Sequence, residues 1–335
     1  MRAARIHRYG TADELIVEDA PRPSPGRGEL LIAVVASSVN PIDWKMREGI
    51  QAAIAPRSMP TILGLDVSGL VEEVGQGVVG FDVGDAVFSS PDHRREGTYA
   101  EYVVVPAAQV APKPASLTHA EAASLPLVGL TAWDCLVRAA DLKAGERVLI
   151  QAGSGGVGTF AIQLAKHLGA EVATTCSGRN AELVTSLGAD RVVDYTQERF
   201  DEVLPPQDVV LEAMGGEILA RSLAVVRRGG RLSFINSGLG PRVERWGSVV
   251  GTLVTVVAAA SMMLFQRLVR GVKASMVVRR ADGAALAEIA SLVDAGAIRP
   301  TIDREYPLAE IAEAHRYGET GRARGKIVIR VRPEP

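Results

Sequence analysis

Cysteine is nearly missing from this chain of 335 residues: there are two, Cys135 and Cys176. Two thiols cannot build a disulfide framework or a four-thiolate zinc site. Thiols this scarce suit a reducing, cytoplasmic setting. The opening Met1-Arg2-Ala3-Ala4-Arg5-Ile6 lacks the long apolar core and cleavage site of a signal peptide and reads as a strand. An excess of one charge is missing too. Lys and Arg number 37 against 39 Asp and Glu, a net charge of −2, so the composition carries no electrostatic footprint for nucleic acid. The histidines His7, His93, His119, His167 and His315 are scattered without ligand spacing, so no metal centre is expected from them. Internal repeats and low-complexity tracts are lacking as well.

What is present suits a soluble globular protein: 47% apolar and 23% charged residues, in a length that suggests two domains. The first part alternates short apolar runs with Gly and Pro, which predicts a compact, mostly β domain over 1–125. From Leu117 the character changes. Strand patterns at 147–151, 171–176, 191–193, 208–212, 231–235 and 273–278 alternate with helical ones, which implies an α/β fold with parallel strands and crossover helices. This predicts a second domain over 126–278. The remainder, 279–335, is expected to return to the first domain, with a binding crevice between the two. Residues 246–266 carry no charge at all, near the length that spans a bilayer. They fall inside the α/β pattern, so they read as a buried or pocket-lining helix rather than a membrane span. A helix walling the crevice there would suit an apolar substrate.

One stretch carries more chemistry than any other. Val148-Leu149-Ile150-Gln151 runs into Ala152-Gly153-Ser154-Gly155-Gly156-Val157-Gly158, and an apolar helical pattern follows at once. This is a strand, a tight turn and a helix start. Gly153, Gly155 and Gly158 fit the G-x-G-x-x-G pattern, in which the chain turns, a pyrophosphate approaches the backbone, and helix packs closely on strand. Ser154, Gly156 and Val157 belong to the same expected cradle. The next strand ends Thr174-Thr175-Cys176-Ser177-Gly178-Arg179, without the acid that usually meets the ribose hydroxyls of NAD. Ser177 and Arg179 can instead hold a 2′-phosphate, which points to NADPH.

Several further motifs, in order, give the chain a resemblance. They are Asn40-Pro41-Ile42-Asp43-Trp44-Lys45; Leu63-Gly64-Leu65-Asp66-Val67-Ser68-Gly69; Phe81-Asp82-Val83-Gly84-Asp85; Gly97-Thr98-Tyr99-Ala100-Glu101-Tyr102; Leu125-Pro126-Leu127-Val128-Gly129-Leu130-Thr131-Ala132-Trp133; and Gly325-Lys326-Ile327-Val328. Together they resemble the medium-chain dehydrogenase/reductase superfamily, in its zinc-independent quinone reductase branch. The resemblance covers nearly the whole length. It implies a GroES-like catalytic domain, a Rossmann domain with a doubly wound parallel sheet, and NADPH-driven reduction of quinones or α,β-unsaturated carbonyls. Leu63 departs from it, since proline is usual there. Zinc alcohol dehydrogenases of the superfamily place a cysteine near the first motif and a His-Glu pair in the second. Here the pair is Leu65-Asp66 and no cysteine lies near Asn40.

By motif match, Val128 and Thr131 are expected near the nicotinamide and phosphates. Tyr195 is expected near the 2′-phosphate, Met214, Gly215, Asn236 and Ser237 at the strand ends lining the crevice, and Lys326 closing the site from the tail. For the chemistry, Asn40 offers an amide to the carbonyl oxygen, Lys45 a cation or proton, and Asp43 a partner to orient Lys45. The same stretch also reads as a turn in which Asn40 and Asp43 bond backbone. Tyr99 reads as packing. The segment 273–278 is a candidate edge strand for a homodimer. An alcohol dehydrogenase activity, a non-catalytic NADPH-binding protein and a membrane-attached reductase anchored by 246–265 stand as alternatives.

Overall fold

The computed structural model describes residues 1–53, 55–95, 97–236 and 238–334. In chain order the strands are β1 (Arg2–Ile6), β2 (Ile16–Asp19), β3 (Glu29–Val39), β4 (Thr61–Ile62), β5 (Val67–Val74), β6 (Ala86–Ser89), β7 (Tyr102–Pro106), β8 (Val110–Pro112), β9 (Arg147–Ile150), β10 (Glu171–Cys176), β11 (Arg191–Asp194), β12 (Gln207–Glu212), β13 (Val226–Phe234), β14 (Lys273–Met276), β15 (Ile302–Pro307) and β16 (Lys326–Arg330). The helices are α1 (Pro41–Arg47), α2 (His119–Ala123), α3 (Pro126–Trp133), α4 (Gly156–His167), α5 (Ala181–Ser186), α6 (Phe200–Val203), α7 (Gly216–Val225), α8 (Leu239–Arg270), α9 (Gly283–Asp294) and α10 (Ile311–Glu319). The chain divides into two compact units, Met1–Leu130 with Arg280–Pro335, and Thr131–Arg279. The division falls inside α3, between Leu130 and Thr131.

The first unit is built on β3. Every residue from Leu30 to Val39 is buried, since β3 is central: it pairs with β5, β7 and β16, all antiparallel. Its sheet runs β15-β16-β3-β5-β6-β8, and a small sheet, β2-β1-β4, stands beside it. The tail strand β16 thus pairs with a strand from the first part of the chain. Ser37 and Ser38, near the end of β3, are also buried, and they carry polar groups to the site described below.

The second unit is a six-stranded sheet in the order β11-β10-β9-β12-β13-β14. All its pairings are parallel, the doubly wound arrangement that crossover helices impose. The order reverses at β9, the strand that feeds the glycine run. Val148, Leu149 and Ile150 are fully buried, as a central strand covered on both faces requires.

Helix α8 departs from expectation. It is helical, but it is largely exposed rather than buried. Leu253 is 63% and Leu268 75% exposed, whereas its buried positions are Gly251, Thr255 and Ala259. The helix breaks at Gly247, whose φ of 75° lies in the left-handed region. Composition alone placed its large side chains inside; most of them are exposed instead, and the packed positions are small residues with Met262 and Met263.

The two kinds of apolar position should differ in energetic weight. Leu149→Ala, in the core of β9, is expected to cost the second unit about 2–5 kcal/mol. Leu253→Ala, on the outward face of α8, is expected to stay within about 0.5 kcal/mol of wild type. Urea unfolding of the two variants checks this, and equal losses would contradict the placement of Leu253.

Candidate functional site

In the second unit, close packing of backbone shapes the elbow after β9. A Cβ on Gly153 would collide with the Thr174 hydroxyl, and one on Gly158 with the Ala152 carbonyl. A Cβ on Gly155 meets nothing nearer than 3.4 Å. The outer glycines therefore serve packing, and the middle one leaves an open approach to the backbone. Ala152 takes a φ of 55°, strained for a residue with a side chain. Its N–H donates to Thr175 Oγ1 (3.1 Å), whose hydroxyl donates to Gln151 Oε1 (2.6 Å). Helix α4 starts behind Gly155 with no side-chain cap. The N–H groups of its first turn have no intrahelical acceptor, and they carry the positive end of the helix dipole.

The neighbouring strand ends supply the rest of this half. Asn180 donates to Ser154 Oγ (3.0 Å) and Ser177 Oγ (3.4 Å), and its Oδ1 is buried without a partner. Arg179 is exposed. The Tyr195 ring is 65% exposed, and its backbone N–H bonds Cys176 O (3.2 Å). Asp194, just before it, is an acid that the search along β10 alone passes over. Hydrogen bonds from Thr196 hold its carboxyl below the usual range. Glu212, at the end of β12, was not expected either. It is buried and its Oε1 accepts from Met214 N (2.6 Å) and Gly215 N (2.7 Å), while burial raises its pKa. Asn236 Nδ2 donates to Met214 O (2.9 Å). Met214, Gly215 and Asn236 are thus brought together, around an acid whose only sequence signal is its place at a strand end. Ser237 lies outside the described residues. Val128 and Thr131 are both buried on α3.

In the first unit a buried polar network gathers residues far apart in sequence. Asp66 Oδ2 accepts from Ser38 Oγ (2.6 Å), Asn40 Nδ2 (2.8 Å) and Lys326 Nζ (3.3 Å), and Oδ1 accepts from Leu127 N (2.7 Å). Lys326 also donates to Asn40 Oδ1 and to Val39 O. Asp66 is fully buried, and four donors with one cation are what a buried carboxylate needs. Two expectations change here. The Asn40 amide is not free to meet a carbonyl, because both its ends are engaged inside the unit. Lys326 serves the same network.

Asp43 does not orient Lys45. Its Oδ2 accepts from Asn40 N (2.8 Å) and Tyr99 Oη (2.9 Å), and its Oδ1 is buried without a partner. Residues two apart on α1 point to different faces. Tyr99, expected to be packing, is a full member of the network. Arg47 Nη1 lies 3.0 Å from His315 Nδ1, and His315 Nε2 lies 3.3 Å from Tyr99 Oη. Burial and the Arg47 charge push the His315 pKa down to about 3. A neutral ring that accepts from Arg47 at Nδ1 carries its proton on Nε2 and donates it to Tyr99, which in turn donates to Asp43. Lys45 is half-buried, with its pKa lowered by burial. A cleft of about 520 Å³ in the same unit, lined by Arg5, Glu29, Ile62, Arg95 and Tyr102 among others, contains none of the expected residues.

Comparison with known proteins bears on both halves. A family model described as an alcohol dehydrogenase GroES-like domain matches residues 26–115, and one described as a zinc-binding dehydrogenase matches residues 187–329. The chain is 40% identical to the mitochondrial NAD(P)H oxidoreductase RTN4IP1 of Mus musculus over 324 residues, covering 90% of this chain and 82% of that protein. It is 32% identical to the chloroplastic NADPH-dependent alkenal/one oxidoreductase of Arabidopsis thaliana, covering 98% of this chain and 79% of that one. The solved structure of a quinone oxidoreductase from Coxiella burnetii matches with a TM-score of 0.87 at 32% identity, covering 99% of each chain. The chain belongs to the medium-chain dehydrogenase/reductase superfamily.

For a member of this superfamily, the pair Leu65-Asp66 is informative, because every polar contact of Asp66 goes to the network above. Among the described residues no group of three or more His, Cys, Asp or Glu side chains is placed to hold a metal ion. The buried acids also predict how this superfamily member responds to pH. Burial pushes the Asp43 carboxyl from 3.8 up to about 7, against the opposing hydrogen bonds of Tyr99 and Asn40. The folded protein then keeps a proton that the unfolded chain has released, so this group's stabilising contribution is lost as pH rises from 3.8 through about 7. His315 acts oppositely: its contribution is lost as pH falls from 6.5 toward about 3. Asp43→Asn is expected to remove the first dependence and keep the second, so the variant gains on wild type as pH rises from 3.8 to about 7 and no further above it. Thermal unfolding across that range checks it. Lys326→Met leaves Asp66 without its cation and is expected to cost about 3–5 kcal/mol.

Proposed function

We propose that this protein is an NADPH-dependent oxidoreductase that reduces a quinone or an α,β-unsaturated carbonyl without zinc. The observation that carries the reading is the uncapped start of α4 behind an open Gly155, beside the exposed Arg179, in a chain of this superfamily. These residues fit the dinucleotide. The N–H groups of Gly156, Val157 and Gly158 suit its pyrophosphate. Ser177 and Arg179 suit a 2′-phosphate, with Tyr195 beside them. Val128, Thr131, Met214, Gly215 and Asn236 are the proposed contacts for the remainder. The oxidoreductase names of the relatives, one of them NADPH-dependent and acting on alkenals and enones, support the same class.

When bound, the reduced nicotinamide supplies a hydride. The chain's own residues must then deal with charge and a proton on the substrate oxygen. Lys45 is the proposed proton donor: its amine is half-buried, burial makes it a better acid, and among the described residues it has no side-chain hydrogen bond. Asn40, locked by Asp66 and Lys326, positions the start of α1 and through it Lys45. Asp43 holds the same turn by accepting from the Asn40 backbone. The zinc-free reading rests on Leu65 and on the spent carboxylate of Asp66. The proposal covers quinones and enones without a chain-length preference. A homodimer paired through β14, an edge strand, and a cytoplasmic setting, in keeping with two free buried thiols, complete the proposal. The two relatives named above are mitochondrial and chloroplastic.

An NADPH-oxidation screen over quinones and enones tests it. Turnover is expected with some of these acceptors and to persist after chelator treatment. Lys45→Ala is expected to lower kcat by about a hundredfold with little change in KM for NADPH. NADPH binding without oxidation by any acceptor would leave a non-catalytic binding protein. Alcohol-dependent reduction of NADP⁺ that requires added zinc would favour an alcohol dehydrogenase.

A further inference from the structure

Helix α8 is built inside out. Between its break at Gly247 and its end it runs about 35 Å. Its buried positions, Gly251, Thr255 and Ala259, recur every four residues, and the Thr255 hydroxyl is spent on Gly251 O (2.7 Å). Gly251 lies against the backbone of Arg242 and Val243, which folds back at the Gly247 break, and Ala259, Met262 and Met263 join the core of Leu232, Phe234 and Val272. Val249, Leu253, Val257, Leu264 and Leu268 lie outward, at the four- and seven-residue spacing that forms one stripe. By length and composition it is the one helix among the described residues apolar enough to cross a membrane.

It cannot cross one in this fold. The strand before it, β13, and the strand after it, β14, are adjacent and parallel in one sheet, so both helix ends are tied to the same layer, and its small face is already packed. Only the outward face is open. The charges say what meets it. The helix carries Arg242, Arg245, Arg267 and Arg270 at its two ends, a single acid, Glu244, and no charge over 246–266. Arg245 and Arg267 are exposed. Arg228 is exposed in the β13 turn that reaches the C-terminal end, where Gly271 comes beside Gly229. Trp246, with Arg245 over its ring at 5.2 Å, stands at the other end, the amphipathic residue favoured at a lipid–water boundary. Packing two copies of this face together would set basic ends against basic ends in either direction, which is unfavourable. A surface of lipid phosphates meets both ends with opposite charge.

We propose that the outward face of α8 docks on a bilayer containing anionic phospholipid, with the helix in the plane of the surface and its aliphatic stripe immersed by about 5–10 Å. Arg245 and Arg267 meet the headgroups, and Leu253, Val257, Leu264 and Leu268 enter the acyl boundary. This docking is independent of which carbonyl compound the protein reduces.

Cosedimentation of the full chain with vesicles tests it, using phosphatidylcholine alone and phosphatidylcholine with phosphatidylglycerol. Wild type is expected to pellet with the anionic vesicles, several-fold less with the neutral ones, and less again as salt rises. The pair Leu253→Asp and Val257→Asp is expected to lower the partition by about tenfold or more with the melting temperature and oligomeric state unchanged. Arg245→Gln with Arg267→Gln, which spares the apolar stripe, is expected to remove the preference for anionic vesicles. Wild type that stays in the supernatant with both vesicle types would overturn the proposal. So would equal binding to both, or a soluble oligomer that the aspartate pair splits, which would assign the face to a second copy.

Discussion

The close approach of Gly158 to the Ala152 carbonyl is the constraint on which the candidate cofactor site depends. A single methyl group at that position would collide with backbone, and backbone has nowhere to move in a close-packed strand–helix unit. Because helix and turn touch there, α4 begins at the edge of the sheet with its first N–H groups bare and pointing away from the strand end. The strained Ala152 belongs to the same constraint: Thr175 and Gln151 hold it through a buried chain of hydrogen bonds that runs on to Ser222. The order of the sheet reverses at β9, so the elbow also sits where helices depart to opposite faces, the usual seat of a ligand in such folds.

The first unit solves a different problem, that of keeping acids in a dry interior. Asp66 is surrounded by donors and a cation, so its charge is offset at both oxygens. Asp43 has donors at one oxygen and nothing at the other, and burial raises its pKa. Two carboxylates in one unit thereby have very different surroundings. The chain Arg47, His315, Tyr99, Asp43 and Asn40 links α10, the Tyr99 segment and α1, and so makes the geometry around Lys45 a property of the whole unit rather than of one turn.

Much of this was legible in the sequence, for physical reasons that differ by element. The elbow was readable because its parts are local: an apolar strand, three glycines at fixed offsets, and an apolar helix. The resemblance of the ordered motifs brought the superfamily with it, and the relatives bear that out. The network of Asp66 and Lys326 was not readable, since the partners lie 260 residues apart and a lone acid in an apolar motif names no partner. Glu212 was missed because a single acid at a strand end reads as a solvated side chain until its burial is known. The engagement of the Asn40 amide was unreadable for the same reason, as its partners are Asp66, just before β5, and Lys326 on β16. Helix α8 was misjudged because hydropathy reports how apolar a segment is and not which side it presents. In this helix Gly251 is small because the backbone of Arg242 and Val243 folds back against it, while Ala259, Met262 and Met263 face the core.

The central claim is that a phosphorylated pyridine nucleotide binds at the glycine elbow with Arg179 reading its 2′-phosphate. Calorimetric titration of the purified chain with NADPH and with NADH measures this directly. The account predicts binding of NADPH at least about tenfold tighter than NADH, as one charge-assisted contact provides, and loss of that difference in Arg179→Ala. No measurable affinity for NADPH, or NADH bound equally well by wild type, would contradict it.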